Sequence, residues 1–244
     1  MACDPANFGG VAVCGVAASH GTLQCLSMAY IFQPARDALK NNVGRYSDLL
    51  SGKILDVGAG SFDRYSKLFK NASKYVRMDI EGTENVDVHG RAEALPFPDA
   101  SFDGIVCTQT LCDVFDLDTT FKEFNRVLTK GGRVLSTTPF LSMMTDEPYY
   151  FWNPSPYALR KLYEDHGFKI IVLEPTAGAH ETIANLRIRV LIDDWKLYDR
   201  WYGRFVSYVF IFWTKLARRK DRRDGKTLAQ SRTAIDFIAI AEKC

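Results

Sequence analysis

A doubly wound α/β domain, with a mostly parallel sheet of seven strands covered by helices on both faces, is predicted by three observations. Short apolar runs rich in β-branched residues alternate with helical periodicities along residues 50–175. The first run, Ile54-Leu55-Asp56-Val57, passes straight into the glycine turn Gly58-Ala59-Gly60. The second, Tyr75-Val76-Arg77-Met78-Asp79-Ile80, ends in an acid. Parallel strands buried on both faces read as near-continuous apolar runs, as these do.

The elements follow in order. Pro34 to Leu50 reads as an amphipathic helix, with proline at its start and Ala38, Leu39 and Val43 apolar. Lys53 to Val57 is a strand, and a helix is expected over about Asp63 to Lys70. Strands follow at Tyr75 to Ile80, at Val86 to Val88 and at Phe102 to Thr108. Leu117 to Leu128 is a helix with Phe121, Phe124 and Leu128 on one face, and Lys130-Gly131-Gly132 reads as its glycine C-cap. Arg133 to Thr138 is a strand. Ser155-Pro156 opens a helix that stops near Gly167. Lys169 to Leu173 and Ala234 to Ala241 are the last strands, and the final one is free to insert antiparallel.

Between those last strands lies a helical insertion, residues 177–230. Trp195, Tyr198, Tyr202, Phe205, Val209, Phe212 and Leu216 advance by three and four, the spacing of one stripe on a long helix. Lys215, Arg218, Arg219, Lys220, Arg222 and Arg223 follow, and Lys220 to Arg232 reads as a solvated linker. An aromatic helix with a basic end suits a peripheral membrane contact through residues 195–223. The plainer reading, and the favoured one, is a helix packed on the protein's own core or on a homodimer partner, and both readings stay open. The organisation is then residues 1–50 as an N-terminal helical cover and 51–244 as the main domain.

Composition narrows the function classes. The 244 residues carry a net charge of +2, so no global field argues for nucleic acid. Six cysteines show no C-x-x-C pair, which suggests a reducing, cytoplasmic setting rather than a zinc site. The first basic residue is Arg36, so residues 1–33 have neither the basic start of a secretory signal nor the arginines of a transit peptide. No run of about eighteen apolar residues exists.

A glycine turn after one strand and an acid after the next is the arrangement that holds an adenosine-bearing ligand: the glycines allow close approach and the acid accepts from ribose hydroxyls. Dinucleotide enzymes add a third glycine where the helix meets the pyrophosphate. Here that position is Asp63. A carboxylate there opposes a pyrophosphate and tolerates a ligand bearing an ammonium and a sulfonium, which favours S-adenosylmethionine over a nicotinamide.

Those residues, with the run from Gly90 to Asp103, the helix end Arg126 to Gly132, and His166-Gly167-Phe168, resemble the class I S-adenosylmethionine-dependent methyltransferases. The resemblance implies roles. Asp56, Gly58 and Gly60 would hold the methionine end, Asp79 the ribose hydroxyls, and Ile80, Ala92 and Glu93 the adenine. Thr108 and Gln109 would border the sulfonium. Each also has a plain reading as a cap, strand-end or loop residue.

The stretch from Thr145 to Ser155 resembles H-x-x-P-x-D-[FY]-x-R-[FY]-[ST], found in small methyltransferases of glycan and polyketide tailoring. Pro148, Phe151 and Ser155 match, whereas Thr145, Tyr150 and Asn153 replace the His, Asp and Arg. The segment is aromatic instead. Tyr149, Tyr150 and Trp152 form a wall suited to a planar or apolar small-molecule acceptor, or simply pack the loop. A hydroxyl acceptor needs a base, and Asp113 and Asp146 are the candidates, with capping or solvated roles as their alternatives. His89 and His166 read as structural. The function expected is methyl transfer to a small molecule that is apolar, aromatic or lipid-linked. The competing class is a non-catalytic protein of the same fold.

Overall fold

The computed structural model describes residues 31–80, 85–145, 147–225 and 232–244. A single sheet of seven strands organises them: β1 (Gly52–Val57), β2 (Ala72–Asp79), β3 (Val88–His89), β4 (Phe102–Thr108), β5 (Leu128–Pro139), β6 (Phe168–Pro175) and β7 (Asp236–Lys243). Its order is β3-β2-β1-β4-β5-β7-β6. The chain winds outward from β1 to β3, then returns to β4. The carboxyl ends of β1 and β4 therefore flank the point where strand order reverses, the place where open α/β sheets bind ligands. β7 pairs antiparallel with both β5 and β6, and every other pairing is parallel. The expected mostly parallel seven-stranded sheet is thus the one observed, and the last strand takes the antiparallel option that the sequence left open.

Five α-helices flank it: α1 (Pro34–Tyr46), α2 (Leu117–Val127), α3 (Pro156–Asp165), α4 (Ala179–Asp194) and α5 (Gly203–Asp224). The alternation of side chains along the strands divides the core. Leu55, Ile105, Val134 and Ala239 join Phe121 and Phe124 of α2 and Tyr163 of α3 on one face. Ile54, Val106, Leu135 and Ile238 meet Val43 of α1 on the other. Tyr163 is fully buried, and its hydroxyl bonds the Ser136 hydroxyl at 2.7 Å, so each satisfies the other.

The helix starts follow capping chemistry. Asp116 accepts from Thr119 N at 2.9 Å to open α2, and Ser155 accepts from Ala158 N to open α3, with Pro156 in its first turn.

Three expectations fail for identifiable reasons. No α-helix forms over Asp63–Lys70, where the chain makes only a 3₁₀ turn at Ser66–Leu68. Asp63 caps the Ser66 amide at 3.0 Å, and Phe69 is pulled into the core against Tyr75, with ring centroids 5.6 Å apart. β2 then begins at Ala72, which leaves no room for further turns. Second, Lys130-Gly131-Gly132 does not cap α2. Leu128 is already extended, and Gly131 (φ 76°) lies within β5, at the register shift against β4. A side chain at Gly132 would press on the Thr129 carbonyl at 2.9 Å.

Third, the helix expected from Trp195 is broken. α4 ends at Asp194, Lys196 is left-handed (φ 46°), and a 3₁₀ turn at Leu197–Asp199 precedes α5. Leu197 is fully buried with Ile188, Ile192 and Phe210, and this anchor folds the chain into an α4–α5 hairpin. α5 continues to Asp224, into the first residues of the expected linker, whose positions 226–231 lie outside the described residues. No described helix is long and apolar enough to cross a membrane.

Candidate functional site

The turn after β1 is held from beneath. Gly58 N and Ala59 N both donate to the Met78 carbonyl, at 2.9 and 3.1 Å, which ties the turn to the end of β2. Gly58 is left-handed (φ 75°), and a Cβ there would lie 2.1 Å from Thr110 Oγ1. Gly60 is also left-handed (φ 65°), but a Cβ there would meet none of the described residues within 4 Å. One glycine is therefore required by the protein, and the other fronts open space.

Asp79 closes the arrangement: its Oδ2 accepts from Gly60 N at 2.8 Å. Ile80 beside it is 61 % exposed, an apolar side chain with its face free for a ring. Ala92 is buried in the core with Leu95, so only its backbone is available to a ligand. Glu93 is half-buried and pairs with Arg91 at 3.4 Å.

Asp56 lies a layer deeper. It is 4 % exposed, and its Oδ2 accepts from the Tyr75 hydroxyl at 2.9 Å. Its Oδ1 has no hydrogen-bond partner among the described residues. Burial pushes its carboxyl up to about 7, against the opposing Tyr75 hydrogen bond and the Arg77 charge. A cationic ligand above it would favour the ionised form.

On the acceptor side, Gln109, the residue after β4, is in a left-handed conformation (φ 58°), a strained state for a residue with a side chain. Its amide donates to the Thr137 carbonyl at 2.8 Å, which fixes it. Thr108 is half-buried at the same strand end. Asp113 follows in a turn closed by its amide on Thr110 O at 3.0 Å. The aromatic segment docks on this turn: Phe151 N and Trp152 N donate to Cys112 O at 2.7 and 3.2 Å, and Trp152 Nε1 to Phe115 O at 3.3 Å. Phe115 packs edge-on against Phe151, with centroids 5.3 Å apart. Asp113 and the aromatic segment are thus brought together. Tyr149 is exposed, whereas the Tyr150 hydroxyl is buried and pushed up to about 12 by that burial. Asp146 lies outside the described residues. His166 bonds Leu162 O and Asp118, a structural role at the end of α3.

Sequence reasoning missed two residues. Arg77, 8 % exposed, donates to the Gly60 carbonyl at 2.8 Å and to the Asn85 carbonyl, and so clamps the glycine turn from below. Its signal was a cation inside an otherwise apolar strand. Asp236, the first residue of β7, is 2 % exposed, and its Oδ2 has no partner among the described residues. Burial raises it to about 7, against contributions from Gln109 and Thr176. Unfolded, the group titrates near 3.8. Between those values the folded chain binds the extra proton, so Asp236 opposes folding increasingly as pH rises and fully above 7. Asp236→Asn should therefore stabilise the protein at pH 8, by at most about 4 kcal/mol, and change little at pH 4. Thermal melts at the two pH values check this, and an equal gap at both would assign the effect to packing.

Comparison with known proteins fits this geometry. Residues 55–136, from β1 into β5, match the methyltransferase domain family. Over that segment the chain resembles a methyltransferase domain. It is 30 % identical over 151 residues to the ubiquinone/menaquinone biosynthesis C-methyltransferase UbiE of Shewanella oneidensis, an alignment covering 52 % of this chain and 55 % of that one. The chain thus spans about half the length of the curated relatives it matches. Its fold is similar to that of the [4+2]-cyclase SpnF (TM-score 0.58, 19 % identity, 87 % of this chain and 83 % of that). It is also similar to phosphoethanolamine N-methyltransferase 2 of Haemonchus contortus, solved with S-adenosyl-L-methionine (TM-score 0.53, 18 % identity, 85 % and 52 %).

The residues present fit S-adenosylmethionine, the cofactor of this domain class. Gly60 opens onto free space, Asp79 is anchored beside it, Ile80 offers an apolar face, and Asp56 Oδ1 lacks a partner below.

Proposed function

We propose that the chain transfers a methyl group from S-adenosylmethionine to a small-molecule acceptor that is apolar, aromatic or lipid-linked. The observation that carries this reading is the left-handed glycine turn joined to Asp79 by the 2.8 Å bond from Gly60 N, within a methyltransferase domain. The fold alone would not carry it, because a cyclase shares that fold. The acceptor class draws on the aromatic segment and on the UbiE relative, whose name places it in ubiquinone/menaquinone biosynthesis and specifies a carbon acceptor.

Bound S-adenosylmethionine supplies a methyl group on a good leaving group, so the protein's task is mainly proximity and orientation. In this reading Asp79 accepts from the ribose hydroxyls, and Ile80 with the backbone at Ala92 and Glu93 borders the adenine. The backbone of Gly58 and Gly60 admits the methionine portion, and Asp56 places negative potential beneath it. Gln109 and Thr108 stand between cofactor and acceptor. Tyr149, Tyr150 and Trp152 face the acceptor, and Asp113 takes its proton where the acceptor atom carries one; Asp146 is the second candidate for that role. Residues 195–223 supply a peripheral membrane contact rather than a homodimer contact, because their exposed apolar run leads into a cluster of cations, the arrangement that suits an anionic membrane surface.

Calorimetric titration with S-adenosylmethionine and S-adenosylhomocysteine tests the reading. Micromolar binding is expected for the wild type. Asp79→Ala should weaken it about a hundredfold or more, since it removes charge-assisted bonds worth roughly 1.5–3 kcal/mol each. Well-folded wild-type protein that binds neither ligand would overturn it.

A further inference from the structure

Between α4 and α5 lies an open groove of about 1460 Å³ on the outer surface of the hairpin. Its floor is apolar, formed by Ile183 and Val190 of α4 and by Trp213 and Leu216 of α5, all exposed. Its rim is basic: Arg187, Arg219, Lys220 and Arg223.

The core-facing side of α5 is a different set of residues. Val206 and Phe210 pack against Leu197, Ile188 and Ile192, while Ser207 and Thr214 satisfy their hydroxyls on Gly203 O and Phe210 O. The stripe Phe205, Val209, Phe212 and Leu216, legible in the sequence, points outward instead, with Phe205 67 % and Phe212 64 % exposed. Continued along the helix at the same spacing, that outward stripe turns from apolar to cationic at Arg219, Lys220 and Arg223.

The acids nearby are already engaged. Glu181 pairs with Arg218 at 2.6 Å, Asp221 accepts from His180 N and Glu181 N at the start of α4, and Asp224 pairs with His180 at 3.0 Å. Arg187, Arg219, Lys220 and Arg223 make no ion pair among the described residues.

We propose that this groove binds an anionic phospholipid of a membrane leaflet, its acyl chain along the apolar floor and its phosphate among Arg219, Lys220 and Arg223. Charge complementarity selects that occupant. An apolar trough with aromatic flanks and unneutralised cations at one end matches a chain with an anionic head, and the flanking Phe205, Tyr208 and Phe212 sit where interfacial aromatics enter the headgroup layer. The proposal deepens, and rests on, the membrane contact assigned above to residues 195–223. It is independent of the methyl-transfer reading, since none of these residues belongs to the cofactor or acceptor site.

The test is co-sedimentation of the full chain with phosphatidylcholine vesicles, with and without phosphatidylglycerol. Wild type should bind only the vesicles containing phosphatidylglycerol. Arg219→Glu with Arg223→Glu should cost roughly tenfold or more. Ala184→Trp with Ala217→Trp, which fills the groove without changing charge, should also weaken binding several-fold. Leu216→Gln, at an exposed position, replaces that pair if it does not fold. S-adenosylmethionine affinity should be unchanged in all of these. Loss in the charge variant with wild-type binding in the filled variant would overturn the groove and leave only a flat electrostatic contact. Wild-type protein that ignores both vesicle types would overturn the groove and the membrane contact together, while leaving the methyl-transfer reading to its own titration.

Discussion

Gly58→Ala is expected to abolish measurable S-adenosylmethionine binding and to lower the melting temperature by several degrees. Two costs combine at this position. A left-handed conformation costs an L-residue about 1–2 kcal/mol, and Gly58 sits at φ 75°. The new methyl group would also lie 2.1 Å from Thr110 Oγ1, 2.5 Å from its Cγ2 and 2.8 Å from its Cβ, so rotating the side chain alone does not relieve the contact. Thr110 is not free to retreat. Its hydroxyl is held at 3.2 Å by the Val57 and Thr108 carbonyls, and its own carbonyl accepts from Asp113 N. Pushing it away displaces the turn that carries Gln109 and Asp113 together with the glycine turn. The two terms can be separated. Gly58→Ala combined with Thr110→Gly removes the clash and keeps the backbone penalty, so stability should recover in part and affinity only partly. A Gly58→Ala protein that binds the cofactor within about threefold of wild type would mean that this turn is not the cofactor's seat; the comparison scale is one kcal/mol for roughly a fivefold change.

What could be read from the chain alone depended on how local the determinant was. The strand ends, the glycine turn and Asp79 announce themselves because the residue types needed at a strand–turn junction are few and adjacent in sequence. The sheet was legible for the same reason, since its buried strands are uninterrupted apolar runs, but an apolar run does not say which way it points, and the inversion of β7 stayed open. Helix boundaries that depend on tertiary anchors were not. Phe69 and Leu197 each end or redirect a segment whose own periodicity would continue a helix, and they do so through contacts with Tyr75 and with α4 and Phe210. Periodicity likewise finds a stripe on α5 but does not say whether it faces the core. Trp195 to Leu216 kept its spacing across a break, and the buried side of α5 turned out to be Val206 and Phe210. Asp236 stayed hidden for a further reason. An acid at the start of a strand is ordinarily solvated, and only β7's insertion between β5 and β6 buries it.

Arg77 is the buried group whose loss should cost most, because its guanidinium serves several partners that no neighbour can satisfy. It donates to Gly60 O at 2.8 Å and to Asn85 O, and its charge opposes the burial penalty on Asp56, its register partner in β1. Asn85 in turn donates to Ser61 O at 3.1 Å, so one cation braces both ends of the cofactor turn. Arg77→Met keeps most of the volume and removes the charge and the donors. Leaving an uncompensated buried charge and open carbonyls should destabilise the protein by about 3–5 kcal/mol. In a chain of this size that lowers the melting temperature by roughly 10 °C. The loss should depend on pH in a definite direction. The attraction between Arg77 and Asp56 exists only while Asp56 is ionised, above about 7, so the gap between wild type and variant should narrow as pH falls from 8 to 5. Arg77→Lys should recover the charge term but only part of the stability, because a single ammonium does not reproduce the planar fork that reaches both carbonyls. Melts of the two variants at both pH values distinguish these contributions. A methionine variant that melts within two or three degrees of wild type at pH 8, roughly the shift expected for 1 kcal/mol, would show that the turn holds its shape without the clamp.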